Sequence, residues 1–276
     1  MMSREVKMII DAHTHIYPDK IALKVMEAAR SHLGESIPFI GDFTLADLRN
    51  VLKRSGIDAA IAFCVAEKPK IVKSANDFMI DATDNKTIIG FGTIHPDMDD
   101  PVTEVRRIRE KGLKGIKFHA LFQLASATDE KFFPVYREME KLDMIAYFHV
   151  GRDPGDPTLP VVTNSKNIFT VREHFPQLKI VAAHYGGLYE LEEAAKWIYG
   201  KDIYIDTSWS PNVQALNPKE IARIIKRHGA DKILFGSDYP TTTDITAQMA
   251  WLKNLPLSSE AQELIFEKNA RRLLNI

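Results

Sequence analysis

Ile9-Ile10-Asp11-Ala12-His13-Thr14-His15 is an apolar stretch that runs into two histidines spaced i, i+2. Successive side chains of a strand point to opposite faces, so His13 and His15 share a face, with Cα atoms roughly 6–7 Å apart. Two imidazoles at that separation can converge on one ion, which makes the pair a candidate metal site at the end of a first barrel strand. Two polar residues in a strand-end turn would look the same, and a two-residue motif occurs often without a metal. The placement of the other histidines and acids decides between the two.

Outward from this stretch, short apolar runs alternate with longer amphipathic segments over all 276 residues. The strand-like runs fall at 7–11, 59–65, 88–93, 115–118, 145–149, 180–183, 203–206 and 233–235. Segments with helical periodicity include 21–32, 44–55, 102–111, 130–142, 188–199 and 218–228, and a last amphipathic helix is expected over 258–274. Thr44 stands three residues before Asp47 as in a capping box, and Gly56, Gly112 and Gly229 follow helical runs as terminating residues do. Eight strand–helix units with apolar strands predict parallel pairing and closure into a (β/α)8 TIM barrel, an α/β fold in one domain over residues 1–276. The densest breaker cluster, 152–160 with three prolines, follows the fifth strand, where a βα loop would lie on the active face. Other loops read as short, leaving little material for a lid.

Lys and Arg number 36 against 37 Asp and Glu, so the balance offers no case for nucleic acid or an anionic membrane surface. The single Cys64 excludes an internal disulfide and fits a reducing compartment; it reads as a buried thiol rather than a nucleophile. No apolar leader follows Met1, and no run of 18 apolar residues exists, so the expectation is a soluble, cytoplasmic chain.

In barrels of this kind the active site is built from the C-terminal strand ends. Six of the nine histidines sit there: His13 and His15 on the first strand, then His95, His119, His149 and His184 after the third to sixth. Asp238 follows the eighth. The other three, His32, His174 and His228, lie late in helices, where a cationic ring suits the dipole, and read as structural.

Asp11-Ala12-His13-Thr14-His15, Lys114-Gly115-Ile116-Lys117-Phe118-His119, Phe148-His149-Val150-Gly151, Ala183-His184-Tyr185-Gly186-Gly187 and Phe235-Gly236-Ser237-Asp238-Tyr239-Pro240 occur in order, and Lys268-Asn269-Ala270-Arg271-Arg272-Leu273-Leu274 closes the chain. Together they resemble the amidohydrolase-related family of the metal-dependent amidohydrolase superfamily, which includes dicarboxylate lactonases and aminocarboxymuconate-semialdehyde decarboxylase-like enzymes. The resemblance implies one divalent ion, zinc first and manganese second, held by His13, His15, His149 and Asp238. It implies His184 as the residue that orients or deprotonates the attacking water, with Asp238 sharing that work. Neutral imidazoles and one carboxylate are competent zinc ligands. A histidine at the place of His119 resembles what mononuclear members carry near the substrate, which argues against a second ion, with Lys117 on the same face.

Further substrate contacts are expected from the rim: His95, Gln123, Arg152 as a carboxylate clamp, Tyr185, Trp209 as a wall and Tyr239. The partner in view is a small, carboxylate-bearing molecule, and a homodimer is the assembly in view. The leading function is a hydrolase acting on an amide, lactone or ester carbonyl. A non-oxidative decarboxylase of an aromatic or unsaturated carboxylate ranks second, and a non-catalytic metal-binding barrel third.

Overall fold

The computed structural model describes residues 8–34, 37–209 and 212–276. Eight parallel strands form one sheet in the order β1 to β8: Ile10–His15, Ala59–Phe63, Ile88–Thr93, Gly115–Phe118, Ile145–Phe148, Lys179–Ala182, Tyr204–Asp206 and Ile233–Leu234. The sheet curls until its ends meet. Ala12 N donates to Phe235 O at 2.7 Å, Asp238 N to His13 O at 3.0 Å, and His15 N to Tyr239 O at 2.8 Å. The expected barrel is therefore the fold, and its closure brings the His-x-His stretch against the Asp238 turn.

Strand residues alternate between two cores. Ala59, Ile61 and Phe63 of β2 point into the barrel with Ile10, Ala12, Phe91, Tyr147 and Val181. Ala60 and Ala62 point outward to the layer under the helices. That helical layer includes α2 (Leu45–Ser55), α3 (Val72–Ala82), α4 (Pro101–Glu110), α6 (Phe133–Lys141), α7 (Ser165–His174), α8 (Leu191–Trp197), α9 (Pro218–His228) and α10 (Ile245–Lys253). α5 (Ala120–Gln123) is a single turn beyond β4, and α11 (Ser259–Glu263) and α12 (Asn269–Leu274) end the chain. Thr44 caps α2 by accepting from Asp47 N at 3.1 Å, and Gly56 ends it at φ 67°.

Four expectations shift. The first strand was expected over 7–11, of which Lys7 lies outside the described residues; the observed strand begins at Ile10 and carries on through His15, every residue of it buried. Polar residues stay within it because their partners come from neighbouring strands, as Thr14 Oγ1 shows in donating to Ile61 O at 2.8 Å. The helix expected over 258–274 is interrupted by a π-turn at Leu264–Lys268. That irregularity presents Ile265 O to Phe235 N at 2.9 Å, which also ends β8 one residue early. α7 and α10 have little one-sided periodicity and did not stand out; α10 is apolar around most of its circumference.

The fourth shift concerns α1 (Asp19–Leu33), which is not a barrel-ring helix. α2 fills the position between β1 and β2, burying Leu48, Val51 and Leu52. α1 is extra, so the loops are not all short.

At the C-terminal end of α9, His228 is buried and accepts from Gly200 N through Nδ1 at 3.3 Å. Burial and then the Lys232 charge depress its pKa to about 4. A depressed histidine is neutral in the folded chain while the unfolded chain protonates near 6.5, so its contribution is whole above about pH 6.5 and drains as pH falls to about 4. At about 1.4 kcal/mol per unit this amounts to roughly 3 kcal/mol. Urea unfolding at pH 7 and pH 4 checks it: His228→Asn, which keeps an acceptor for Gly200, should lose less stability across that interval than the parent. Equal losses in the two proteins would remove His228 from the account.

Candidate metal centre and proton relay

His13 and His15 end β1 on one face, and their Nε2 atoms stand 3.2 Å apart. Asp238 Oδ1 lies 3.4 Å from His13 Nε2 and 3.9 Å from His15 Nε2. Two donors about 2.1 Å from a common tetrahedral centre are about 3.4 Å apart, so this triangle has the dimensions of a zinc-type ligand set. All three side chains are buried. Asp238 is held in place by the turn after β8, where it adopts φ 65° and donates its N–H to His13 O. Asp11 Oδ1 secures the same turn by accepting from Ser237 N at 2.9 Å. Gly236 is needed beside it, since a Cβ there would lie 2.9 Å from His13 Cβ.

The second half of the site is organised by Asp206 at the end of β7, a residue with no role among the sequence-based expectations. Its Oδ2 accepts from His13 Nδ1 at 2.8 Å and Tyr147 OH at 2.5 Å. Its Oδ1 accepts from His184 N and Ser208 N, both at 3.0 Å, and from Ser208 Oγ at 2.5 Å. Burial pushes this carboxyl up, but the His13, His184 and Ser208 interactions prevail and hold it well below the usual range. Asp206 is thus a carboxylate. The signal was present: an acid at the end of an apolar strand obeys the same rule that selected the histidines.

This carboxylate assigns protons by inference from the network. His13 Nδ1 must donate to Asp206, which leaves a lone pair on Nε2, facing His15 and Asp238. Ser208 Oγ gives its hydrogen to Asp206, so it accepts from His184 Nδ1 at 2.9 Å. His184 Nε2 is then an acceptor, and His149 Nδ1 donates to it at 3.0 Å. The chain ends on His149 Nε2, a lone pair that is buried and without a hydrogen-bond partner among the described residues. His119 Nδ1 is likewise buried without a hydrogen-bond partner among the described residues, its ring stacked 4.4 Å from His149 and 3.9 Å from Phe122. Two orphaned ring nitrogens side by side mark where a bound group would complete the site.

Burial, reinforced by neighbouring cationic groups, pushes His15, His119 and His149 well below the usual histidine range, and brings His184 to about 4. These four imidazoles are neutral, as ligation requires. Lys117 is fully buried, with Nζ 3.0 Å from His13 Nε2 and 4.6 and 4.8 Å from the ring centroids of Phe63 and Tyr147. Burial lowers it to about 8. His184 (φ 60°) and Tyr185 (φ 54°) are consecutive left-handed residues, a strained turn that the Asp206 bond to His184 N helps to hold.

The structure therefore gathers His13, His15, Asp238, Lys117, His119, His149 and His184. His149 stands apart from the His13–His15–Asp238 triangle and joins the site through His184. Other expected contacts are engaged elsewhere. Tyr239 turns its hydroxyl away to Asp47 Oδ2 at 2.8 Å. Arg152, expected as a carboxylate clamp, is committed to Glu190 at 3.0 Å and to Pro157 O at 2.9 Å. Gln123 is a brace, accepting from His119 N at 2.9 Å and donating to Ile94 O at 2.7 Å. His95 Nδ1 accepts from Asp97 N at 3.1 Å within its own turn, and Trp209 packs edge-on to Tyr189 at 5.5 Å. Cys64 is buried, and burial raises its thiol to about 12, which leaves it unreactive.

A protein-family model described as Amidohydrolase matches residues 10–276. No curated protein matches the chain. Among solved structures, 5-carboxyvanillate decarboxylase from Sphingomonas paucimobilis superposes with a TM-score of 0.72 at 18% identity, covering 98% of this chain and 99% of that one. The 5-carboxyvanillate decarboxylase from Novosphingobium aromaticivorans, complexed with manganese and 4-hydroxy-3-methoxy-5-nitrobenzoic acid, gives 0.72 at 17% over 98% and 96%. A probable 2-pyrone-4,6-dicarboxylic acid hydrolase from Acinetobacter baumannii with citric acid bound gives 0.67 at 16% over 97% and 99%. At these identities the likeness is one of fold. Among the described residues no helix is long and apolar enough to cross a membrane.

Proposed function

The chain belongs to the amidohydrolase family, and from that premise we propose that it is a metal-dependent hydrolase of a small amide, lactone or ester. The observation that carries the reading is the triangle of His13 Nε2, His15 Nε2 and Asp238 Oδ1 at 3.2–3.9 Å, backed by a proton chain ending at Asp206. Held there, a divalent cation, zinc or manganese, supplies Lewis-acid polarisation of a carbonyl and a lowered water pKa. His149 Nε2 is the further lone pair that could complete the ligand set.

The residues of the chain do the rest. His13 is oriented by Asp206 so that its proton sits on Nδ1. Asp238 is the nearest carboxylate to the reacting centre, and the oxygen it does not offer to the ion takes the proton of the attacking water. His184, neutral and wired through Ser208 to Asp206, accepts from His149 Nδ1 and so keeps the lone pair of His149 on Nε2. His119 Nδ1 and Lys117 Nζ face the same space and bind the substrate's oxygens. Burial of the cluster excludes bulk water and strengthens each of these interactions.

Two observations favour a second reading, a decarboxylase. Lys117 places a buried cation beside the metal triangle, where it would hold a carboxylate, and both vanillate-type relatives above share the barrel closely. Product analysis separates the two. Hydrolysis of a lactone and amide panel without CO₂ is the expected result. Release of CO₂ from hydroxybenzoates or muconates by the zinc- or manganese-loaded chain would overturn the hydrolase in favour of the carboxy-lyase.

A further inference from the structure

The triangle is recessed, with His13 1%, His15 9% and Asp238 7% exposed, so access to it depends on what lies above the barrel mouth. In a closed barrel ordered β1 to β8, β5 stands across the mouth from β1. α1 begins at Asp19, four residues beyond His15, and its fifteen residues extend about 22 Å. At its far end His32 Nε2 donates to both carboxylate oxygens of Asp153, each at 2.8 Å. Asp153 follows His149 by four residues, in the loop after β5. α1 therefore spans the C-terminal rim from the β1 side to the β5 side instead of running down the outside.

One face of α1 packs lightly, with Val25, Met26 and Ala29 partly buried against the core, and both of its ends are tied. Only Ala22 is buried in α1, and Leu23 is 62% exposed. At the near end the excursion is tied at its neck, with Tyr17 N donating to Phe43 O at 2.8 Å, and Ile40 N to Pro240 O at 3.0 Å. At the far end Asp153 is buried, Gly155 N donates to it at 2.8 Å, and the backbones touch: a Cβ on Gly155 would lie 2.4 Å from His32 O. The Arg152–Glu190 pair braces the same loop against the segment after β6.

We propose that α1 is a gate over the metal centre, latched by His32 on Asp153, and that release of the latch admits substrate and ion. This rests on reading the His13–His15–Asp238 cluster as the reaction centre. His32 touches neither substrate nor ion; it is a positioning residue. The test compares His32→Ala and His32→Gln, whose amide can still donate to Asp153, by two measurements. The first is amide hydrogen exchange across 19–33. The second is the rate at which a chelator strips zinc from the loaded chain.

Loss of one hydrogen bond to a carboxylate should speed both about tenfold in His32→Ala. Zinc content at saturation should stay unchanged, and His32→Gln should restore most of both rates. Unchanged exchange in α1 would overturn the latch. Faster exchange with an unchanged zinc-loss rate would overturn the gate. If the chain takes up no metal, the reading of the centre fails by that fact, while hydrogen exchange still decides the latch.

Discussion

Asparagine at position 206 should weaken metal binding about 100-fold, the upper end of what loss of a ligand-orienting carboxylate costs. Oδ1 of Asp206 accepts two backbone N–H groups, from His184 and Ser208, which cannot change their role. The new side-chain oxygen must stay there, and the –NH₂ group takes the place of Oδ2. It then faces Tyr147 OH, which can rotate to accept, and His13 Nδ1, which can accept only by moving its own proton to Nε2. That proton occupies the lone pair aimed at His15 and Asp238. Stability should also fall by about 3 kcal/mol, because a buried charge matched to its donors has been removed. Zinc titration with urea unfolding on the same protein measures both. Unaltered zinc affinity would mean that His13 does not depend on Asp206 for its tautomer, and the proton assignment of the whole network would fall with it.

The barrel was legible because its signal is repeated: eight apolar runs separated by amphipathic segments leave few alternatives, and β4 over Gly115–Phe118 was placed to the residue. What escaped was structure that depends on distant partners. Nothing local in 259–274 says that a carbonyl there is needed by Phe235, so the π-turn at Leu264–Lys268 had no sequence signature. The helical period of α1 was readable, but its destination was not. Periodicity reports that one side of a helix is more apolar than the other, and the His32–Asp153 contact that sends it across the rim joins residues 121 apart.

At the site, residue types at strand ends were enough to collect His13, His15, His149, His184 and Asp238. Their pairing was not. His149 meets His184 because Ser208 and Asp206 fix the orientation of the latter, a four-residue relation with no spacing to read. Rim residues were less legible still, since a long polar side chain on a loop chooses between pocket and neighbour on short-range geometry. Arg152 chose Glu190, and Tyr239 chose Asp47.

Alanine at position 184 should lower turnover by about 10²–10⁴-fold, the range expected for loss of a proton-handling side chain, while metal content stays at about one ion per chain. Among the described residues two groups of donors are close enough to hold an ion: His13, His15 and Asp238, or His13, His184 and Asp206. The second uses His13 Nδ1, which stands 2.8 Å from Asp206 Oδ2, a hydrogen-bond distance, and carries the proton that bond requires. An ion there would have to displace it and would leave Ser208 Oγ and Tyr147 OH competing for the carboxylate. In the first group His13 turns to the ion the ring nitrogen that Asp206 does not engage. Metal analysis of His184→Ala by plasma mass spectrometry therefore tests the site by position. Retained metal with lost turnover fixes the ion at the His13–His15–Asp238 triangle and makes His184 the residue that sets the proton positions of the reacting groups. Lost metal would place the ion on the Asp206 side, with His13 ligating through Nδ1, and His15 and Asp238 would then become the groups left to bind substrate.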